Sequence, residues 1–198
     1  MMKNTLLAFA LLLPALAVAA PQIGQPAPDF AVVDSHGAVR TLEEFAGQPL
    51  VLEWSNHDCP FVIKHYSSDN MQSLQRRYTE AEVAWLTVIS SSPGTQGHVS
   101  AAEANQLTTT RSAAPTAVLL DEEGTMGRAY DAKVTPHMYL IDSNGTLVYM
   151  GGIDSIRSAN AADIPKATPY LADAVDALLA GEPIPNSVTR PYGCSVKY

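Results

Sequence analysis

Cysteine is scarce in this sequence, basic charge is scarcer than acidic, and the short motifs that usually announce a redox or metal site are missing. Only Cys59 and Cys194 occur in 198 residues. Two cysteines so far apart make no disulfide framework of the kind that staples small secreted domains. There is no C-x-x-C, no H-x-x-x-H and no carboxylate-rich run, so no spacing points to a metal centre, and no cofactor motif stands out either. Twelve Lys and Arg stand against 20 Asp and Glu, a formal charge of −8, with no basic run interleaved with aromatics. That balance argues against nucleic acid and anionic membrane surfaces as partners. No internal repeat is visible.

Residues 1–20 have the build of a secretory signal peptide: Lys3, then an apolar stretch from Thr5 to Leu16 broken only by Pro14, then the small residues Ala17-Val-Ala-Ala20. The stretch is too short, and too soon followed by Pro21, Gly24, Pro26 and Pro28, for a membrane span. No span is expected once the signal is cleaved, and the mature protein is expected to be secreted or periplasmic. Residues 21–182 have the length of one globular domain, and 183–198 form a Pro-rich, flexible-looking tail that carries Cys194.

A hairpin is expected from Ala31 to Leu42 around Ser35-His-Gly37. Residues 49–55 and 83–89 are nearly continuous apolar runs, as in strands buried on both faces of a parallel sheet. Between them, apolar residues from Phe61 to Tyr78 recur at spacings of three and four and predict one helix over 61–79. A polar helix near 98–109, a strand at 116–120 and a short helix near 125–130 follow. Ser143-Asn-Gly145 is a turn signal between strands at 137–142 and 146–150. A last amphipathic helix over 169–180 ends at Gly181. Alternation in the first half and a hairpin in the second imply an α/β architecture: three layers, with a mixed central sheet between helices.

Cys59 follows a buried strand and precedes Pro60, a residue favoured at the first helical position, so it falls at or beside a helix N-cap. Unpaired amides and the helix dipole there favour an anion, which raises the thiolate fraction. The expected sulfur is therefore exposed and ionised near neutrality, with Lys64, His57 and His65 adding positive potential if they face it. The competing reading makes Cys59 a small buried hydrophobe or half of an inert disulfide. Glu53, six residues earlier in an apolar strand, is a candidate buried acid relaying protons to the thiol, or else a Glu facing a sheet edge. Thr135-Pro136 precedes a strand and fits a cis-proline loop offering its backbone to an extended peptide, or an ordinary turn. Cys194 is a resolving thiol, a structural staple or a free thiol. Bonding it to Cys59 would constrain the unfolded chain by about 5 kcal/mol in the chain-entropy model.

Glu53-Trp54, Asn56-His-Asp-Cys-Pro-Phe-Val-Ile-Lys-His-Tyr66, Ser90-Ser-Ser-Pro-Gly-Thr-Gln-Gly97, Thr135-Pro-His137 and Gly193-Cys-Ser-Val-Lys197 together resemble the peroxiredoxin-like branch of the redoxin (AhpC/TSA) families. These belong to the thioredoxin superfamily, and the likeness covers nearly all of the mature chain. It implies a thioredoxin-like fold with one inserted helix-strand unit. It makes Cys59 the attacking cysteine, Glu53 the buried acid and Pro136 the cis-proline, with Trp54, Pro60, Thr135 and Pro136 as substrate contacts. Val62 stands where the second cysteine of the thioredoxin motif would be. Asn56 and Leu52 replace the Thr and Pro of the peroxiredoxin signature. The implied activity is thiol-disulfide exchange with protein or small-molecule disulfides and a thiol reductant. Thiol peroxidase is the alternative, and a copper-binding or redox-partner binding module is the alternative from another class.

Overall fold

The computed structural model describes residues 20–198; the signal peptide expected over 1–20 lies, apart from Ala20, outside the described residues. A small hairpin comes first, β1 (Ala31–Val33) against β2 (Val39–Thr41). The chain then enters β3 (Leu50–Trp54), helices α1 (Pro60–Ser67) and α2 (Asn70–Glu80), and β4 (Ala84–Ile89). The inserted unit is α3 (Ala101–Thr110) with β5 (Ala117–Leu120); α4 (Thr125–Ala129) leads on to β6 (Val134–Thr135). Strands β7 (His137–Ile141) and β8 (Leu147–Gly151), helix α5 (Tyr170–Ala180) and a last strand β9 (Cys194–Ser195) complete the order. The central sheet runs β5-β4-β3-β7-β8, with β3 parallel to β4 and antiparallel to β7. This is the mixed, helix-covered sheet that the alternation of runs implies.

Every residue of β3 is buried, because helices cover one face of the sheet and the N-terminal segment with α4 covers the other. The two-residue period sends Leu50, Leu52 and Trp54 into one core cluster and Val51 into the other, which also holds Cys59 and Val62. Trp54 is therefore not a substrate contact. It has no exposed surface, packs on Tyr130 and Tyr139 at ring distances of 5.3 and 5.0 Å, and donates its indole N–H to Ser90 Oγ at 3.0 Å.

The single helix expected over 61–79 is two. Ser68 Oγ donates to the carbonyls of Lys64 and His65 at 2.8 and 3.3 Å, and Asp69 takes a left-handed backbone with φ 57°. Short polar side chains here compete with the helical ladder, and the chain restarts at Asn70. The tail differs more. Expected to be flexible-looking, it is hydrogen-bonded to the domain along its length: Met150 N–H donates to Ser187 O at 3.0 Å, Thr189 N–H to Met150 O at 3.1 Å, Val196 N–H to Lys133 O at 3.1 Å and Ser92 N–H to Lys197 O at 2.8 Å. Among the described residues no helix is long and apolar enough to cross a membrane.

Candidate active site

Cys59 is the N-cap of α1, with extended φ −74° and ψ 122°, and Pro60 fills the first helical position. The turn before it is fixed by Asn56, whose Oδ1 accepts the Asp58 amide at 2.9 Å and whose Nδ2 donates to Gln96 O at 3.2 Å. Asn56 lies so close to Gly97 that a Cβ there would fall 2.4 Å from its Cγ, which ties the 90–97 loop to the cysteine turn.

Opposite lies Thr135-Pro136, whose peptide bond is cis. Cys59 Sγ donates to Thr135 O at 3.1 Å. The edge of β6 is already occupied, however, because β9 pairs with it antiparallel and sets Cys194 across from Thr135. Cys194 N–H points at Cys59 Sγ, 3.4 Å away. Both cysteines are free thiols in this arrangement. The sulfur expected to be exposed is 0% exposed: Cys59 sits in the core cluster with Val51, Val62 and Tyr192, and Cys194 of the tail lies against it. Thr135 and Pro136 are buried as well, while Pro60 stays open to solvent.

Burial pushes the Cys59 thiol up, but hydrogen bonds involving the Cys194 and Thr135 side chains and the Val62 and Cys194 backbone outweigh it and hold the group below the usual thiol range. Cys194 is pushed up to about 11 by burial and by its bond to Cys59. The first negative charge of this two-sulfur site therefore rests on Cys59, with Cys194 as the donor to it.

Lys64 and His65 do not supply that bias. Lys64 is buried and turned to Asp154 Oδ2, 3.1 Å away. His65 is pushed down to about 4, chiefly by burial, and so is neutral at pH 7; its Nδ1 meets Asn70 Nδ2 at 2.9 Å. His137 is likewise pushed down to about 4 by burial, with Nδ1 3.0 Å from the Tyr139 hydroxyl. An unfolded chain binds protons on both histidines near pH 6.5, whereas the folded chain does so only near 4. The unfolded state thus holds more protons in this window, and stability is expected to fall as pH drops from 6.5 to 4, by up to about 3 kcal/mol per histidine. Glu53, raised by burial, has the opposite sign, since its contribution is full below pH 4.5 and is lost as pH rises through its folded value. Urea titrations of wild type and His137→Gln separate the two: the variant should lose about half of the histidine slope, and parallel curves would refute the assignment.

Glu53 does not reach Cys59 by a hydrogen bond. Its carboxyl is the hub of another network, accepting from Tyr66 Oη at 2.9 Å, Trp85 Nε1 at 2.9 Å, Gln75 Nε2 at 3.2 Å and Thr87 Oγ1 at 3.3 Å. It ties both helices to β4, and the direct relay read from its spacing to Cys59 has no path here. Among the described residues no three His, Cys, Asp or Glu side chains converge as metal ligands.

Sequence reasoning missed the residues that seat the tail. Tyr192 Oη donates to Asp154 Oδ1 and accepts from Lys64 Nζ at 3.3 Å; its ring meets Phe61 edge-on at 5.7 Å. Gly193 has φ 144°, and a Cβ there would lie 1.8 Å from Thr135 O. Tyr198 Oη donates to Ala132 O at 2.7 Å, its ring sits under Arg128 at 4.7 Å, and it lies so close to Gly124 and Gly127 that a Cβ on either would fall within 2.5 Å of the ring. The two Tyr and the single Gly of the last seven residues were the available signal.

Residues 23–150 match the profile described as AhpC/TSA family. Similar solved structures include an uncharacterized conserved protein from Geobacillus kaustophilus, 29% identical, with 89% of this chain and 92% of that one covered at a TM-score of 0.78. A hypothetical protein from Sinorhizobium meliloti 1021 is 24% identical over 91% of this chain and 96% of that one, TM-score 0.76. The exposed lipoprotein thioredoxin Etrx1 of Streptococcus pneumoniae shares the fold at 21% identity, covering 68% of this chain and 95% of that one, TM-score 0.51. No curated protein matches the sequence.

Proposed function

Starting from the fact that this chain belongs to the AhpC/TSA family of thioredoxin-like proteins, we propose that it is an exported thiol-disulfide oxidoreductase with Cys59 as nucleophile and Cys194 as resolving thiol. The carrying observation is the placement of Cys194 on Cys59 by the pairing of β9 with β6, together with the bias of the first charge toward Cys59.

When the tail lifts, the β6 edge beside Pro136 is free to take an extended substrate strand, and Pro60 lies open next to it. Cys59 thiolate attacks one sulfur of the substrate disulfide; a mixed disulfide forms and the other substrate sulfur leaves as a thiolate that takes a proton. Cys59 is now neutral, which removes the charge and the acceptor that kept the Cys194 proton in place. Cys194 loses that proton and attacks Cys59 Sγ, and the second substrate sulfur leaves as a thiol. The substrate gains two electrons and the protein becomes the Cys59–Cys194 disulfide, which an external dithiol reduces. The same steps run backwards when the oxidised protein meets a dithiol that is the stronger reductant, which leaves as a disulfide. Peroxidase chemistry is less well supported, since Asn56, at the position of the signature Thr, spends its side chain on Asp58 and Gln96.

Incubating the reduced protein with oxidised glutathione and mapping thiols by mass spectrometry tests this reading. Wild type should pass through glutathionylated Cys59 to the Cys59–Cys194 bond, Cys194→Ser should stall at the first adduct, and Cys59→Ser should do neither. Exchange that survives Cys59→Ser would overturn it.

A further inference from the structure

The function proposed above makes no use of the buried ion pair between Lys64 and Asp154. Lys64 is 2% and Asp154 5% exposed, and they come from α1 and from the segment after β8. A buried pair is weak evidence for stability, because removing both charges from water offsets most of their attraction. What sets this pair apart is its third member. The Tyr192 hydroxyl bonds Asp154 Oδ1 and receives Lys64 Nζ at 3.3 Å, and Lys64 Nζ also lies 5.5 Å from the centre of the Tyr192 ring. Lys64 sits five residues after the nucleophile, on the helix that the nucleophile caps, and Tyr192 two residues before the resolving thiol. The remaining Asp154 and Lys64 bonds are local to the segment after β8: Ile156 N–H donates to Asp154 Oδ1 at 3.0 Å and Lys64 Nζ donates to Ile156 O at 3.4 Å. The tyrosine is thus the group through which the pair holds the tail.

We propose that Tyr192 is a positioning residue: its hydroxyl, captured by the Lys64–Asp154 pair, sets the fraction of time that Cys194 lies on Cys59. It thereby sets two quantities together, the shielding of Cys59 from outside reagents and the effective concentration of Cys194 for closing the disulfide. Lifting the tail leaves a buried, charge-assisted hydrogen bond unmade, so this contact opposes opening more strongly than an exposed one. The second quantity rests on the thiol-exchange reading; the first does not.

Tyr192→Phe keeps the ring against Phe61 and removes only the hydroxyl. Under reducing conditions the rate of iodoacetamide alkylation at Cys59 should rise about tenfold or more. In glutathione redox buffers the effective concentration of the Cys59–Cys194 bond should fall by a similar factor, while global unfolding in urea shifts far less. A merely structural tyrosine would move the urea midpoint and leave both thiol measurements alone. If Tyr192→Phe alkylates at the wild-type rate, the proposal is overturned. If wild type itself forms neither the glutathione adduct nor the internal bond, the exchange reading fails and the alkylation ratio still decides whether Tyr192 holds the tail.

Discussion

Gly193→Ala is expected to unseat the C-terminal tail and bare Cys59 while the rest of the fold stands. The added Cβ would fall 1.8 Å from Thr135 O and 2.6 Å from Thr135 C, both backbone atoms. Residue 193 also holds φ 144°, which an L side chain rarely adopts. One of the two backbones must give way. Thr135 leads through Pro136 into β7, whose five residues are all buried and pair with β3, and four of which, from Met138 to Ile141, also pair with β8. The tail is held at its end by a two-residue pairing and single anchors. The tail therefore yields. A clash of about 3 kcal/mol translates into about a hundredfold more open protein, so alkylation of Cys59 should rise about a hundredfold or more, beyond the effect of Tyr192→Phe. The internal disulfide should fail to form under conditions where wild type is fully oxidised, and circular dichroism should stay close to wild type. An alanine variant with Cys59 as shielded as before would show that something other than β9 covers the sulfur.

The parts of the fold legible in the sequence are those encoded locally. The apolar runs of β3 and β4, the Asn144-Gly145 turn and the Cys59-Pro60 helix start each depend on neighbours within a few residues, and each lies where the pattern puts it. Ser100 and Glu103 form a full capping box, and this S-x-x-E pattern marks the start of α3 at Ala101, three residues past the 98 that polarity suggests. Trp54 was misplaced although the means to place it were at hand: strand alternation puts it on the face opposite Val51 and Glu53. The tail was illegible for a different reason. Its order comes from partners 128 residues away at Lys64 and 135 away at Cys59, and Pro, Gly and Ser read alone as loop. The tail is part of what packs around Cys59, so the expected exposure failed along with the reading of the tail, while the helix-start position held.

Lys64→Met is expected to destabilise the protein by about 3–5 kcal/mol near neutral pH, because Asp154 is left with its charge buried and its cation gone. Lys64→Met combined with Asp154→Asn removes both charges and should recover most of that loss, since a buried pair and its neutral replacement are close in stability. The single variant has a further signature. His65 Nε2 lies 3.8 Å from Asp154 Oδ2, and the ring is held down to about 4 by burial first, then by the nearby Lys64, against the pull of Asp154. Taking the lysine away removes a positive charge that helps keep His65 neutral, so its folded value rises from about 4. A protonated His65 then supplies the countercharge that Asp154 lost, and it does so increasingly as the pH falls. The stability gap between Lys64→Met and wild type should therefore be widest near pH 8 and narrow toward pH 5, read as the difference in urea midpoints. A gap independent of pH would mean that His65 cannot answer for the lysine, and that Asp154 is relieved by water instead.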